Sequence, residues 1–252
     1  SSLNAENLQD FHSRPPETVS RSIPSPLYYE ITYVDLNGQE RIKVTRGHVL
    51  PKQLRDVSQK ANTWSKAETY FSALKALKPG QIYVSDVIGP YVPSRLIGPV
   101  TPSHAKTAAV PYEPEKEAFA GQENPYGKPF QGIVRWATPV VKDGVIAGYV
   151  TMALNHTHIR SFTDNITPTL ERYTAVPDAS SGNYAFMWDH KDRNIAHPRH
   201  HSIIGFDPNT GEYATPWLED SIHQKWKSSQ QPLADFLRNV PTFDHQSRDK
   251  KP

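Results

Sequence analysis

The sequence contains no cysteine among its 252 residues. This absence excludes disulfide bonds, thiolate zinc sites and a cysteine nucleophile. No apolar run approaches the roughly 20 residues that a membrane-spanning helix needs, and no basic-then-apolar signal peptide opens the chain. Because the chain begins at Ser1-Ser2-Leu3 without a start methionine, we expect it to be a soluble piece of a longer protein.

Signatures of several function classes are also missing. The net charge is +2 with acidic and basic residues interspersed, whereas a nucleic-acid binder usually shows a marked basic patch or stripe. There is no Gly-x-Ser-x-Gly nucleophile elbow and no Gly-x-x-x-x-Gly-Lys phosphate loop. The sequence therefore predicts neither nucleic-acid binding nor hydrolysis by a serine triad or a nucleotide-binding loop.

Two hairpins are the clearest elements that are present. Residues 27–34 and 40–46 flank Asn37-Gly38, and residues 130–141 and 145–155 flank Asp143-Gly144. Asn-Gly and Asp-Gly tolerate the positive φ of tight hairpin turns. A strand is predicted over 81–87, and apolar residues at spacings of three and four predict a helix over 51–77. This order indicates an α+β fold with an antiparallel sheet and helices to one side.

The other segments are less regular. Residues 88–129 hold eight prolines and little periodicity, and loops of that length commonly cover a site. Short helical patterns occur over 156–165 and about 216–240, where Pro232 is expected to kink or split the helix. Residues 1–26 are interpreted as a linker that carries the end of a helix.

The stretch "NYAFMWDHKDRNIAHPRHH", residues 183–201, is rich in groups that bind metals or act in catalysis. Aspartate and asparagine also hydrogen-bond their own backbone in turns. We therefore predict that Asp189, Asp192 and Asn194 form a solvated hairpin turn and that no metal is bound. The competing hypothesis is a metal-dependent hydrolase, because zinc needs three or four converging ligands and three histidines are at hand, namely His197, His200 and His201.

Four segments, taken in order, carry a resemblance to a known family. They read "YYEITYVDLNGQERIKV", "YFSALKALKPGQIYVSD", "GIVRWATPVVKDGVIAGYVTMAL" and "NYAFMWDHKDRNIAHP". Over roughly residues 27–205 the chain resembles the double Cache domains, which are extracytoplasmic sensors of bacterial signalling proteins. The resemblance implies two stacked PAS-like modules, a membrane-distal one over 27–158 and a membrane-proximal one over 159–252. The second is expected to be incomplete, because nothing after residue 210 repeats the closing hairpin.

This resemblance also implies a function. It indicates a non-catalytic sensor without a cofactor, in the periplasmic or extracellular part of a membrane-anchored protein. Transmembrane helices would flank it in the full-length protein, with a histidine kinase, chemoreceptor or cyclase output. A ligand-free scaffold that pairs two protomers is a further alternative, and a homodimer is left open.

Arg135 is the main candidate for ligand contact, because it is the only charge inside a strongly apolar strand and a buried charge needs a partner. That partner is either an anionic ligand or an internal carboxylate, Asp86 or Glu68. The resemblance implies that the membrane-distal module carries the ligand pocket. The predicted site therefore lies in that module, over the sheet face and under the 88–129 loop, and the other residues expected to line it are Tyr70, Tyr83, Asp86 and Tyr149.

The class of ligand follows from two departures from the family pattern. The amino-acid-binding subgroup is expected to carry an arginine and an aspartate, where this sequence has Glu68 and Ala153. We therefore expect a small polar or anionic molecule, and we do not expect a typical free amino acid.

Overall fold

The computed structural model describes most of the chain, namely residues 6–8, 24–164, 167–168, 173–174, 184–214, 220–232, 235–236 and 238. The chain divides into two compact units. The first comprises Ser1–Met187 and Asn194–Ala214, and the second comprises Trp188–Arg193 and Thr215–Pro252.

A five-stranded antiparallel sheet forms the centre of the first unit. A short pair, β1 (Glu6–Leu8) and β2 (Pro24–Pro26), precedes it. The sheet itself consists of β3 (Tyr28–Asp35), β4 (Glu40–Thr45), β5 (Tyr83–Ile88), β6 (Ile133–Lys142) and β7 (Val145–Asn155). The strands lie in the order β4-β3-β7-β6-β5. Every pairing is antiparallel, so the predicted α+β class is confirmed.

Both predicted hairpin turns are confirmed, and local chemistry explains them. The Asp35 carboxylate accepts hydrogen bonds from the backbone N–H groups of Asn37 and Gln39, both at 2.9 Å. Gly38 has a φ of 90°, a conformation that costs glycine little. In the second turn Asp143 and Gly144 have φ values of 51° and 79°, as a tight hairpin with two left-handed residues requires.

The predicted helix over 51–77 is wrong for most of its length. The only α-helix in that range is α1 (Tyr70–Leu74). Two single 3₁₀ turns, Lys60–Asn62 and Trp64–Lys66, precede it.

Side chains that bond to the backbone explain why no longer helix forms. The Thr63 hydroxyl accepts from the Glu68 N–H at 3.1 Å, and the Glu68 carboxylate accepts from the Trp64 N–H at 3.1 Å. Such bonds offer the backbone an alternative to the helical ladder. Ser65 and Lys66 adopt φ values of 53° and 52°, a left-handed conformation that a helix interior excludes.

The core lies against both faces of the sheet. On the face opposite Arg135, Val87 and Val134 pack with Phe130 and Ile203. The face that bears Arg135, which we call the covered face, carries two further apolar clusters. Towards the β3–β4 turn, Val34, Ala137 and Tyr149 pack with Phe71 and Leu74 of α1. A second cluster further along the same strands includes three residues of the sheet, Ile88, Ile133 and Ala153, and two from outside it, Leu50 and Phe206. The polar residues of the covered face lie between these two apolar clusters along β3, β6 and β7.

The 88–129 segment is folded on itself rather than extended. It contains a short helix, α2 (Pro102–Thr107), capped by the Thr101 hydroxyl, which accepts from the His104 N–H at 3.1 Å. Leu96, Val100 and Ala105 form a small buried core of their own, with Val110 packed against it.

The elements after the sheet are short. They are α3 (Thr157–Asp164), the pair β8 (Thr167–Pro168) and β9 (Tyr173–Thr174), the pair β10 (Met187–Trp188) and β11 (Asn194–Ala196), and α4 (Asp220–Ser229). The predicted helix over 156–165 is confirmed as α3. The helix predicted over 216–240 is confirmed for α4, which ends before Pro232.

The described parts of residues 1–26 are strands, so the helix expected there has no support in 6–8 or 24–26, and its other residues lie outside the described ones. None of the helices in the described ranges has both the length and the apolar character needed to cross a membrane.

Candidate functional site

Arg135 lies in β6 on the covered face of the sheet and is only 3% exposed. The strand register shows how its side chain meets a carboxylate two strands away. Ala153 of the central strand β7 pairs with Arg135 on one side and with Glu30 of β3 on the other. Because alanine leaves the space above it free, the side chains of Arg135 and Glu30 contact each other across β7.

Two carboxylates share the guanidinium of Arg135. Nε donates to Glu68 Oε1, and Nη2 donates to Glu68 Oε2 at 3.1 Å, so Glu68 binds the planar fork in bidentate fashion. Nη1 donates to Glu30 Oε1 at 2.8 Å and to the Thr151 hydroxyl at 3.1 Å. Burial alone would lower the pKa of Arg135, but the charges of Glu68, Tyr70 and Glu30 raise it well above its ordinary value.

A second cation extends this network towards the edge strand. Lys43 Nζ lies 3.4 Å from Glu30 Oε2 and 2.5 Å from Glu40 Oε2, and its side chain is 2% exposed. Glu40 also accepts from the Arg55 N–H at 2.7 Å. We call the five side chains of Glu30, Glu40, Lys43, Glu68 and Arg135 the Arg135 cluster.

The Arg135 cluster contains more acids than bases. Three carboxylates and two cations leave one negative charge uncompensated when all five groups are ionised. Burial would raise the pKa of Glu30, but Arg135 and Lys43 outweigh it and hold that pKa below the usual range. Burial, together with the charge of Glu30, raises the pKa of Glu40 despite its contact with Lys43. Glu40 is therefore the acid of the cluster whose proton affinity is increased.

Free space inside the Arg135 cluster is very small. The cavity that these side chains line, together with residues such as Trp64 and Tyr70, has a volume of about 20 Å³. A water molecule needs roughly 10–15 Å³ measured in the same way. The site thus has room for about one water in this arrangement, and a larger ligand would have to displace a side chain.

The sequence-predicted site residues are only partly brought together, and the expected cover over them is wrong. The cavity of the Arg135 cluster is lined by the sheet and by residues of 50–70, and no residue of the 88–129 loop lines it. The Tyr70 ring lies 4.7 Å from the Arg135 Cζ in a cation–π arrangement. Tyr149 packs instead against Phe71, with ring centroids 6.2 Å apart. Tyr83 packs against the same apolar cluster, and Asp86 is half-buried on β5. The internal ion pair with Glu68, one of the two alternatives for Arg135, is present in the structure.

Glu30, Glu40 and Lys43 complete the cluster, and the sequence reasoning missed them. One signal was available for Glu30, since it alternates with Tyr29 and Ile31 and so shares a face with Thr32 and Val34. Nothing local in the sequence shows that this face is the covered one.

The histidine-rich stretch is divided between different surroundings. The Asp189 carboxylate accepts from the N–H groups of Lys191 and Arg193, at 2.8 and 3.1 Å, and Asp192 has a φ of 57°. The predicted turn is therefore confirmed for these two aspartates, but only Asp192 is solvated, because the Asp189 side chain is 13% exposed and pairs with Arg193. Asn194 is an exception, because it begins β11 and its side-chain oxygen is buried.

The three histidines proposed as metal ligands make separate contacts. His200 Nδ1 accepts from the Phe130 N–H at 3.0 Å, and its Nε2 faces Asp164 at 3.1 Å. His197 Nδ1 accepts from the Arg199 N–H at 2.9 Å. Burial lowers the pKa of His197 and of His201 to about 4. Across the described ranges, no three histidine, aspartate or glutamate side chains are grouped so that they could hold a metal ion.

Comparisons with known proteins add little to this geometry. No protein-family model matches the sequence, and no curated protein matches it either. The similar solved structures include the extracellular domain of vpHK1S-Z8, a protein assigned as a histidine kinase, and a domain of a protein assigned to the sensory box/GGDEF family from Vibrio parahaemolyticus. Their TM-scores are 0.38 and 0.39, with 15% and 16% sequence identity.

The matched regions cover 68% of this chain in both cases, but only 46% and 48% of the two solved chains. The chain thus spans about half the length of the structures it matches. Similarity at this level identifies neither a family nor a ligand, so a functional proposal has to rest on the sheet and on the Arg135 cluster.

Proposed function

We propose that this chain is the extracytoplasmic ligand-sensing domain of a membrane-anchored signalling protein, with its site at the Arg135 cluster. The supporting observation is a buried set of five charged side chains on the covered face of a five-stranded antiparallel sheet. Along the chain, the sheet order is second, first, fifth, fourth, third. This is the arrangement of a PAS-like module, and it agrees with the resemblance found in the sequence.

Stability alone does not explain such a cluster. Removing several charges from water costs several kcal/mol per ion, and apolar residues of similar volume are often as stable or more so. Strongly perturbed, buried ionisable groups occur preferentially at functional sites. The cluster lies in the module that the sequence resemblance identifies as the ligand-binding one.

The proposed ligand is a small polar or anionic molecule other than a typical free amino acid. A ligand carboxylate or phosphate can use the same bidentate fork that Glu68 now occupies. Binding would then release Glu68 from Arg135, and with it the 60–74 segment that positions Glu68. A ligand that favours the released arrangement shifts the balance between two states of the domain. Flanking transmembrane helices would pass that change to a kinase, receptor or cyclase output, and the domain would have no catalysis of its own.

The test is a thermal-shift panel of small carboxylic acids, phosphates and common amino acids on the 252-residue chain, followed by calorimetry on variants. Each charge-assisted hydrogen bond contributes roughly 1.5–3 kcal/mol, so Arg135→Ala should weaken anion binding on the order of tenfold or more. Arg135→Lys should not restore it, because a point charge lacks the planar fork. Glu68→Gln should act in the opposite direction and tighten binding, since it weakens the internal competitor.

A matched control comes from the edge strand β4. Arg41 is an exposed arginine of β4 whose partner is Asp35, so Arg41→Ala should bind as the wild type does. Circular dichroism on each variant separates lost binding from lost folding. If a ligand is found and neither Arg135→Ala nor Glu68→Gln changes its affinity, the assignment to this cluster fails. A panel without any hit would favour the ligand-free scaffold.

A further inference from the structure

A second cavity lies within the 88–129 segment, away from the Arg135 cluster. It has a volume of about 500 Å³, within the roughly 300–1,000 Å³ that is usual for small-molecule sites. We call it the proline groove, after the rings that form most of its wall, which belong to Pro99, Pro102, Pro114, Pro125, Tyr112 and Tyr126. Tyr112 is 44% and Tyr126 is 77% exposed, so both rings are accessible.

The walls of the proline groove are held in place by buried polar contacts. Asn124 Nδ2 donates to the carbonyl oxygens of Pro114 and Ala118, at 2.9 and 3.0 Å, and so links two lining residues, Asn124 and Pro114. The Glu117 carboxylate accepts from the Ser94 hydroxyl at 2.8 Å and from Arg95 Nε at 2.9 Å. Proline rings add rigidity because their φ is fixed. A site that is already ordered loses less entropy when it binds a ligand.

The proline groove presents no uncompensated charge. Glu123 is its only charged lining residue, and the Glu123 carboxylate is bound in bidentate fashion by Arg199 Nε and Nη2, at 3.0 and 3.1 Å. The Glu123 side chain is also only 1% exposed. A charged ligand would lose its hydration here without gaining an opposite charge. The groove therefore favours a neutral molecule.

One polar atom at the groove lacks a partner. Asn124 is 1% exposed, and its Oδ1 accepts no hydrogen bond from any described residue. A buried acceptor without a partner is unfavourable, and a ligand N–H or O–H group would remove that penalty. Because Asn124 Oδ1 has almost no accessible surface, the ligand reaches it only when an exposed lining side chain such as Gln122 moves aside. Few other side chains of the groove are polar, since only Thr101 and Gln122 are uncharged hydrogen-bonding residues besides Asn124 and the tyrosines.

We infer that the proline groove is a second binding site, for a small neutral aromatic molecule that carries one hydrogen-bond donor. Flat rings pack on the tyrosine faces and on the pyrrolidine rings, and the donor is directed to Asn124 Oδ1. A sugar fits less well, because its many hydroxyl groups would find few partners. This site goes beyond the proposed sensor function and does not depend on Arg135.

Indole is a suitable probe, since it combines a flat apolar ring with one N–H donor. Its binding to the 252-residue chain is measured by NMR titration, alongside 1-methylindole, which lacks the donor, and the charged rings benzoate and benzylammonium. We expect indole to bind more tightly than the other three. Tyr126→Ala should weaken indole binding about tenfold, whereas Phe162→Ala, which removes a ring of α3 that is 58% exposed, should leave it unchanged.

Because Tyr126 is largely exposed, its replacement by alanine should not unfold the protein, and a thermal melt verifies this. The inference is overturned if indole shows no saturable binding up to its solubility limit, or if it binds Tyr126→Ala and wild type equally. Equal affinity for indole and 1-methylindole would contradict the role of Asn124. Glucose binding more tightly than indole would contradict the aromatic class.

Discussion

The Arg135 cluster buries five charged side chains around about 20 Å³ of space, whereas the proline groove is an open depression of about 500 Å³ whose single carboxylate is neutralised. Both regions belong to the same compact unit. In the first, the protein's own carboxylates occupy the positions that the proposed anionic ligand would take. In the second, space is available but specific polar contacts are few.

Buried charged groups and free volume are both signs of a binding site, and in this protein they occur in two different regions. A ligand of the Arg135 cluster has to compete with Glu68 for the guanidinium, so its affinity depends on the stability of an internal ion pair. The ligand proposed for the proline groove would compete with no ion pair, and its affinity would depend on ring packing and on access to one buried acceptor, Asn124 Oδ1. The two regions should therefore respond very differently to substitution.

The largest expected effect comes from breaking the Arg135 cluster. Arg135→Met leaves Glu68 and Glu30 buried without their main cation, and removing one partner of a buried pair typically costs about 3–5 kcal/mol. The double variant Arg135→Met/Glu68→Met removes the pair together and should cost less than Arg135→Met alone. Denaturant unfolding of the single and double variants measures both values.

The prediction is contradicted if the stability losses of Arg135→Met and Glu68→Met add up to the loss of the double variant, because coupled neighbours should show an interaction energy. Tyr126→Ala in the proline groove is the matched comparison. As an exposed residue without a structural contact of this kind, it should change stability by no more than about 0.5 kcal/mol.

Replacing single glutamates of the Arg135 cluster should change stability less than Arg135→Met does. The replacements of Glu30 and Glu40 should also differ from each other, because the pKa values of the two acids are shifted in opposite directions. Glu30 has a lowered pKa, so its charged form is stabilised by Arg135 and Lys43. Glu30→Gln should lose about 1.5–3 kcal/mol, the contribution of a hydrogen bond to a charged group. Glu40 has a pKa raised by burial, so its charge is unfavourable at neutral pH. Glu40→Gln keeps an oxygen that accepts from the Arg55 N–H and should not lose stability at pH 7.

The pH dependence of Glu40→Gln provides the check. An acid with a raised folded pKa binds more protons in the folded state, so the wild type gains stability from Glu40 as pH falls through that pKa. Glu40→Gln should lack this gain. A loss of stability at pH 7 as large as that of Glu30→Gln would show that Glu40 is a favourable partner of Lys43.

Sequence reasoning succeeded where a few neighbouring residues decide the structure. Asn37-Gly38 and Asp143-Gly144 specify their turns through positive φ, and the alternating strands follow from them. The helix over 51–77 was wrong because apolar residues at helical spacing also arise when turns pack several side chains onto a sheet. The bonds of Thr63 and Glu68 to the backbone, which prevent that helix, are visible only in three dimensions.

The candidate site was predictable only in part, for a similar reason. Arg135 stands out because it is a charge within an apolar strand, and Glu68 was one of its two expected internal partners. Glu30 and Lys43 reach the cluster through strand order, since Ala153 of β7 lies between Glu30 and Arg135. The proline groove had no signal beyond the proline content of 88–129, because its volume depends on how that segment folds on itself.

The last expected effect concerns acid and is seen only when the pH is lowered. It extends the comparison to the side of the proline groove that Arg199 supports. His197 accepts from the Arg199 N–H, and burial, with the nearby charges of His201 and Arg199, lowers its pKa from 6.5 to about 4. The unfolded chain therefore binds more protons than the folded one below pH 6.5, and stability falls as pH falls from there towards 4. At pH 5, which is about 1.5 units below the ordinary pKa of 6.5, keeping His197 neutral costs the folded state about 2 kcal/mol.

His197→Asn keeps an acceptor for the Arg199 N–H but does not titrate. Between pH 7 and pH 5 its unfolding free energy should therefore fall by about 2 kcal/mol less than that of the wild type. Denaturant unfolding at the two pH values measures this difference, and parallel losses in both proteins would show that His197 is not kept neutral by the fold.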